Sequence, residues 1–241
     1  DDCFRMRAEL LERAIQDDIE RGRRPCCIVA SIGSTSTSAI EPIPQIADIA
    51  ERYKVWLHVD AAYGGPAAVV PEMRHILNGV ERAHSVILNP HKWLYVSIDC
   101  SVLYTRFPKI FRQASALGAE YLRTTEDDQV VNYMDYGVQL GRRFRALKLW
   151  YVFRYYGRDG IIALLREALR LAQLLKTLVE SDNSFELSAA VPLSLVCFRH
   201  RVGDEFNRRL LAEINASGKA FLSHTVLHDK FVLRFAIGNF Q

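Results

Sequence analysis

Short apolar runs alternate with amphipathic segments in the first half of the chain. The runs occupy residues 26–32, 55–59, 85–88 and 101–104. Runs of this length, rich in β-branched residues, are typical of buried strands. Between the first two runs, the apolar positions 46, 49, 50 and 53 share one helical face after Pro42 and Pro44, and a further helix is predicted at 71–77. Strands and helices joined by short connections predict a parallel sheet with right-handed crossovers.

Helical spacing dominates the start of the second half. Apolar residues at 140, 144, 147 and 151 predict a helix that starts near Gln139, and a second helix with its own apolar face follows Gly157 and Gly160. One more helix is predicted at 204–214. It lies among four strand-like runs, at 185–191, 195–200, 220–226 and 231–237. The pattern predicts a smaller α+β module, and we divide the chain into domains at residues 1–147 and 148–241.

The composition is that of a globular protein. Of the 241 residues, 49% are hydrophobic and 24% are charged, which allows a buried core in one large unit or two smaller ones. A net charge of +3 is too weak a bias to indicate a nucleic-acid partner. The basic cluster Arg142, Arg143 and Arg145 alternates with core positions at helical spacing, so we interpret it as structural or interfacial.

The cysteines and the ends of the chain bear on its cellular setting. Five scattered cysteines have no metal-ligand spacing, so we expect no metal site and a reducing compartment. No apolar stretch reaches the ~18 to 20 residues of a membrane span. We therefore predict a cytoplasmic protein without membrane contact. The chain opens directly into an amphipathic helix pattern without an initiator Met and stops just after an apolar strand, which predicts an internal fragment.

A lysine and an aspartate carry the strongest chemical signal. Asp60 ends one predicted strand and Lys92 closely follows another, and open α/β sheets place reactive groups at such strand ends. Alone, a lysine among apolar neighbours is usually a surface residue, and an aspartate after a strand usually caps a turn. Together they suit pyridoxal phosphate, which needs an amine for a Schiff base and a carboxylate that keeps its ring nitrogen protonated.

Several motifs around these two residues resemble one enzyme family. They are WLHVDAAYGG at 56–65, PEMRH at 71–75, NPHKWL at 89–94, DCS at 99–101, GRRFR at 141–145 and FVLRF at 231–235. The motifs resemble the pyridoxal-phosphate-dependent group II decarboxylases of the aromatic-L-amino-acid and tyrosine decarboxylase type, over essentially the whole chain. The resemblance implies an α/β fold, the PLP-dependent transferase fold type I, with part of the large parallel-sheet domain and a smaller C-terminal domain.

The resemblance also implies roles for residues near the lysine. Lys92 would form the Schiff base with pyridoxal 5'-phosphate, and Asp60 would face the ring nitrogen. His91 and Asn89 would contact the cofactor phosphate or brace the Schiff base, a role that the resemblance favours over the alternative of a polar turn, which Asn-Pro commonly starts. His91 favours an aromatic substrate over histidine, since histidine decarboxylases tend to have serine there. We expect His58 to be a buried, hydrogen-bonded support.

Four further positions receive roles in the same way. Thr35 would bind near the ring oxygen, although a serine- and threonine-rich loop is more often a capping or solvated turn. Ala62 would pack on the ring face opposite a stacking histidine that lies upstream of residue 1. Tyr121, in a segment that resembles the catalytic loop, would protonate the substrate carbon. Gly141 would line the substrate pocket and leave room for an indole.

Three functional interpretations stay open. The first is decarboxylation of an aromatic L-amino acid by a homodimer whose active site lies at the subunit interface. The second is an aromatic aldehyde synthase on the same scaffold, or a relative that acts on glutamate. Tyr121 disfavours the synthase, and Trp93 with His91 disfavours glutamate. The third is an inactive fragment that retains the lysine but cannot hold the cofactor.

Overall fold

The computed structural model describes residues 1–116 and 129–238. The first half forms a four-stranded sheet in the order β1-β2-β3-β4. These strands are β1 (Cys27–Ser31), β2 (Trp56–Asp60), β3 (Ser85–Leu88) and β4 (Val102–Thr105). The predicted parallel pairing is confirmed for β1 with β2 and for β2 with β3. It is wrong for β4, which pairs with β3 in the antiparallel sense.

The direction of β4 follows from the connection that precedes it. A parallel return needs a crossover, usually a helix that spans the sheet. The connection after β3 contains only the four-residue helix Pro90–Trp93, and the His91 amide then donates to the Cys100 carbonyl oxygen at 3.4 Å. This connection folds back on itself at the edge where β3 ended. The chain therefore re-enters the sheet from that edge and runs antiparallel to β3.

Six α-helices lie in the described part of the chain. They are α1 (Ala8–Glu20), α2 (Ile43–Tyr53), α3 (Pro90–Trp93), α4 (Pro108–Ser115), α5 (Arg145–Ser181) and α6 (Asp204–Ala216). Short 3-10 helices occur at Gly65–Val69, Pro71–Leu77, Val80–Arg82 and Tyr133–Tyr136. The helix predicted at 71–77 is therefore of the 3-10 type. A proline in the first turn of α2, where the amide hydrogen has no helical partner, favours the start of that helix.

The start of α5 differs from the sequence prediction. The helix begins at Arg145 rather than near Gln139. Gly137 and Gly141 precede this start, and glycine raises the free-energy cost of a helical backbone. The predicted break between two helices is confirmed at Gly157, whose φ of 63° and ψ of 178° are not helical. The predicted domain boundary after residue 147 lies within the first of these segments and stays a prediction.

The second half contributes a four-stranded antiparallel sheet in the order β5-β6-β8-β7. Its strands are β5 (Phe185–Leu187), β6 (Leu195–His200), β7 (Ser223–Leu227) and β8 (Lys230–Ala236). Helices α5 and α6 contact this sheet. This arrangement confirms the predicted α+β character. No helix in the described ranges is long and apolar enough to cross a membrane.

The first sheet has one covered and one open face. Alternate residues of a strand point to opposite faces. On β2, Leu57 and Val59 are buried in a core shared with α1 and α2, whereas Trp56, His58 and Asp60 lie on the other, partly exposed face. The predicted acid therefore stands at the carboxyl end of β2 on the open face.

Candidate active site

The loops after the parallel strands are tied together at one edge of the first sheet. The amide of Gly64, after β2, donates to the carbonyl oxygen of Ile32, after β1, at 3.0 Å. The amide of Asn89, after β3, donates to the carbonyl oxygen of Ala62 at 3.2 Å. Gly64 has no room for a side chain, since a Cβ atom would lie 2.6 Å from the Ile32 carbonyl oxygen. Close backbone packing thus brings the three strand ends together.

Lys92 lies on the short helix α3 at this edge. Its amide donates to the Asn89 carbonyl oxygen at 2.9 Å. The neighbouring Trp93 is only 1% exposed, and its ring stacks on that of Tyr63 at a centroid distance of 5.2 Å and an interplanar angle of 11°. The buried indole anchors α3. The Lys92 side chain, in contrast, is exposed and borders a cavity.

This cavity has a volume of about 300 Å³ and lies between the two sheets. Its lining contains Ser34, Thr35, Tyr63, Lys92, Leu195, Arg234 and Ala236. The structure therefore brings together Lys92 and Thr35, two of the sequence-predicted site residues. Asp60, Ala62, Asn89 and His91 lie on the adjoining strand ends and loops. The two cationic side chains in the lining suit an anionic ligand.

Asp60 is held in place by the turn that follows it. Its carboxylate accepts a hydrogen bond from the Ala62 amide at 3.0 Å. Ala62 is 6% exposed, so its small side chain is packed among its neighbours. Within the described part of the chain, the carboxylate is half-buried and oriented, as a charged partner for a cofactor ring must be.

His91 and Asn89 flank Lys92 in different environments. The His91 Nδ1 atom lies 2.7 Å from the Cys100 carbonyl oxygen and 3.0 Å from the Cys100 amide nitrogen, so the imidazole is tied to the segment before β4. The Asn89 Oδ1 atom is buried and has no hydrogen-bond partner among the described residues. Buried amide oxygens are normally paired. This acceptor is therefore free for a group that enters the site.

These residues fit pyridoxal phosphate. The strand ends present an accessible amine at Lys92, an oriented carboxylate at Asp60, an unpaired buried acceptor at Asn89 and a small packed side chain at Ala62. Each of these features matches a need of the cofactor: an attachment point, a partner for the ring nitrogen, a polar contact and a flat surface.

Sequence reasoning missed three residues at this site. Arg234, on β8, donates through Nη1 to Ser223 Oγ at 2.8 Å and through Nη2 to the Thr35 carbonyl oxygen, while its buried Nε has no partner among the described residues. The Tyr63 hydroxyl and Ser194 Oγ lie 2.7 Å apart. Burial raises the pKa of Tyr63, so its hydroxyl stays protonated. The FVLRF motif contains Arg234 and could have drawn attention to it.

Gly141 and Tyr121 are the remaining predicted site residues. Gly141 borders a separate opening of about 560 Å³ together with Asp99 and Arg145, so the structure does not place it beside Lys92. Asp99 and Arg145 form an ion pair at 2.8 Å. Tyr121 lies outside the described residues. The roles of both Gly141 and Tyr121 stay predictions.

Three comparisons place the chain among known proteins. Residues 1–201 match the family model described as the pyridoxal-dependent decarboxylase conserved domain. Tryptophan decarboxylase 2 of Oryza sativa subsp. japonica is 41% identical over 249 residues, which cover 98% of this chain and 50% of that protein. Phenylacetaldehyde synthase of a Rosa hybrid cultivar is 41% identical over 251 residues, which cover 98% of this chain and 49% of that protein.

The structural likeness agrees with the sequence matches. A crystal structure of Oryza sativa TDC with PLP and tryptamine superposes with a TM-score of 0.92 at 39% identity, covering 97% of this chain and 50% of that one. The predicted fold type I architecture is thereby confirmed. The chain spans about half the length of the relatives that it matches. By sequence and by fold, this chain belongs to the pyridoxal-dependent decarboxylase family.

Proposed function

We propose that the protein containing this chain is a pyridoxal-phosphate-dependent carboxy-lyase that converts an aromatic L-amino acid to its amine and carbon dioxide. The observation that carries the proposal is the position of Lys92, on the wall of a cavity beside the ends of three adjacent strands. When bound, pyridoxal phosphate supplies an electron sink for the electron pair left on the substrate Cα after carbon dioxide departs.

The described residues divide the work of holding this cofactor. Lys92 offers its amine for covalent attachment, and the oriented Asp60 carboxylate stabilises a protonated ring nitrogen. Asn89 Oδ1 would accept a hydrogen bond from a donor group of the cofactor, while His91 braces the Lys92 helix through its contacts with Cys100. Thr35 would bind near the ring oxygen, and the small, packed side chain of Ala62 would leave room for the ring.

Arg234 is suited to hold the substrate carboxylate. Its guanidinium group lies on the cavity wall opposite the large-domain loops and is fixed by Ser223 and by the Thr35 carbonyl oxygen. Arginine binds carboxylates through a planar fork of donors, which orients them. The apolar side of the same cavity, formed by Tyr63 and Leu195, contacts the aromatic part of the substrate and excludes water.

Tyr121 is proposed to deliver the proton that completes the reaction at Cα. A positioned phenol is a competent general acid at a carbon that gains an electron pair. Aldehyde synthesis is the second candidate function, because phenylacetaldehyde synthase of a Rosa hybrid cultivar is as similar to this chain as tryptophan decarboxylase 2 of Oryza sativa is, at 41% identity each. Tyr121 favours the amine-forming reaction.

The proposal extends to the oligomeric state and the cellular location of the protein. We propose a homodimer in the cytoplasm, with the active site at the subunit interface. Large side chains are exposed around the start of α5: Phe144 is 75% exposed and Trp150 is 53% exposed. Exposed aromatic surface of this kind is typical of protein interfaces.

Product analysis tests the proposed reaction. The protein is expressed from its complete reading frame and incubated under air with pyridoxal phosphate and, in parallel, with L-tryptophan, L-tyrosine, L-DOPA, L-phenylalanine and L-glutamate. We expect equal amounts of amine and carbon dioxide from at least one aromatic substrate and none from glutamate. Aldehyde with consumption of oxygen would favour the second function. Absence of cofactor binding would support an inactive protein and refute the proposal.

A further inference from the structure

A group of polar side chains connects β2 and β3 on the open face of the first sheet. Trp56 Nε1 donates to Ser85 Oγ at 3.0 Å, and His58 Nδ1 lies 2.8 Å from the same oxygen. The sheet register pairs His58 directly with Ser85, so the contact follows from the strand alignment. Asp60, the carboxylate of the proposed site, stands two residues after His58 on the same face.

The donors and acceptors of this group fix the direction of its hydrogen bonds. The indole Nε1–H is only a donor, so Ser85 Oγ accepts from Trp56. Ser85 is 3% exposed, and its hydroxyl proton therefore needs an acceptor within the protein. Of the contacts recorded for this hydroxyl in the described part of the chain, His58 Nδ1 can accept the proton. A neutral His58 then carries its own proton on Nε2.

The surroundings of His58 favour the neutral ring. Burial lowers the pKa of His58, and the nearby Asp60 carboxylate opposes part of this shift. His58 and Asp60 lie two residues apart on the same face of β2, so the imidazole is a neighbour of this carboxylate. A neutral imidazole in a fixed orientation places a dipole, and no full positive charge, beside the carboxylate.

We propose that Trp56, Ser85 and His58 form a relay that fixes His58 as the Nε2–H tautomer and makes it a positioning residue for Asp60. The functional part of the proposal rests on the proposed function above. A second full positive charge near the cofactor ring would compete with protonation of the ring nitrogen, since like charges disfavour each other. A neutral, oriented imidazole supports the Asp60 carboxylate and avoids this competition.

Nitrogen-15 NMR of the histidine-labelled protein tests the relay without cofactor. The His58 signals are assigned by their loss in His58→Gln. We expect the Nε2–H pattern in the unmodified protein and a change toward mixed tautomers in Ser85→Ala, while Trp56→Phe weakens the same preference. Ser101→Ala, a serine substitution on the segment before β4, is the matched control and leaves the His58 signals unchanged. A protonated Nδ1 in the unmodified protein overturns the relay.

Exchange of the imidazole tests the link to Asp60. Glutamine retains a donor at the position of Nε2, whereas asparagine places its amide at the position of Nδ1. With cofactor bound, we expect His58→Gln to preserve the pH profile of cofactor absorbance and kcat within about threefold. His58→Asn should shift the profile and lower kcat at least tenfold, with KM little changed. Equal behaviour of the two variants refutes the positioning role.

The two experiments separate this inference from the proposed function. If the protein bound no pyridoxal phosphate, the proposed function would fail, and the positioning role would fail with it, while the tautomer measurement would still decide the relay. If the cofactor bound but His58 carried its proton on Nδ1, only the inference about the relay would fail.

Discussion

Removal of the Tyr63 hydroxyl perturbs one of the direct hydrogen bonds between the two halves of the candidate site. Tyr63 follows β2 and stacks on Trp93 beneath Lys92, whereas Ser194 precedes β6 in the second sheet. The two hydroxyl oxygens lie 2.7 Å apart, and Ser194 is 0% exposed. Tyr63→Phe keeps the ring and its stacking but leaves the Ser194 hydroxyl buried with one partner fewer.

The size of the effect follows from this burial. An unsatisfied buried hydroxyl costs about 1–3 kcal/mol, whereas removal of both partners together can be nearly neutral. We therefore expect Tyr63→Phe and Ser194→Ala each to destabilise the protein by about 1–3 kcal/mol. The double variant should cost less than the sum of the two, because neither group is then left unpaired. Each kcal/mol corresponds to about 2–4 °C in Tm for a chain of this size.

Urea unfolding of the four proteins in this cycle measures the coupling between the hydroxyl groups. Tyr155→Phe serves as the control, because Tyr155 is 82% exposed. Cofactor affinity is measured on the same proteins and should fall in both single variants, since Tyr63 and Leu195, which follows Ser194, line the cavity. Strictly additive free energies would refute a stabilising hydrogen bond between Tyr63 and Ser194.

Three further predictions use other parts of the chain. Gly64→Ala should destabilise by about 1–3 kcal/mol in urea unfolding, because its Cβ would lie 2.6 Å from a backbone carbonyl oxygen, whereas Gly141→Ala meets nothing within 4 Å and should be neutral. The hydrogen bond with Arg166 lowers the pKa of Glu72 from 4.5 to about 2, so its stabilising contribution is present above pH 4.5 and is lost as the pH falls toward 2. Arg166→Gln should reduce this pH dependence of stability, and an unchanged profile would contradict the assignment. Tyr121→Phe should divert the product from amine to aldehyde with oxygen consumption, and amine as the sole product would exclude Tyr121 as the proton donor.

Local sequence signals predicted most of the secondary structure because they report local preferences. The β-branched runs became β1, β2 and β3, and the proline-preceded apolar face became α2. The predicted direction of β4 was wrong, because the direction depends on how the chain folds back after β3. The periodicity of hydrophobic residues contains no information on that fold. The predicted start of α5 was wrong, because the prediction relied on the helical spacing of apolar residues near Gly141. It gave too little weight to the low helix propensity of the glycines there.

Residues of the candidate site could be predicted only where they belong to a recognisable sequence motif. Lys92 and Asp60 stand at strand ends that the pattern located. Arg234, in contrast, reads as one polar position within an apolar strand. Its contact with Thr35 joins residues separated by 199 positions along the chain, so only the packed structure reveals it. The Tyr63–Ser194 contact, across 131 positions, was missed for the same reason.

Peptide mapping after borohydride reduction tests the central claim that Lys92 carries the cofactor. The protein, expressed from its complete reading frame, is loaded with pyridoxal phosphate, reduced and digested, and the modified lysine is identified by mass spectrometry. We expect the added mass on Lys92, none in Lys92→Arg, and unchanged labelling in Lys176→Arg, which substitutes a lysine on α5 that is not part of the cavity lining. Stoichiometric labelling of another lysine in the unmodified protein would contradict the account.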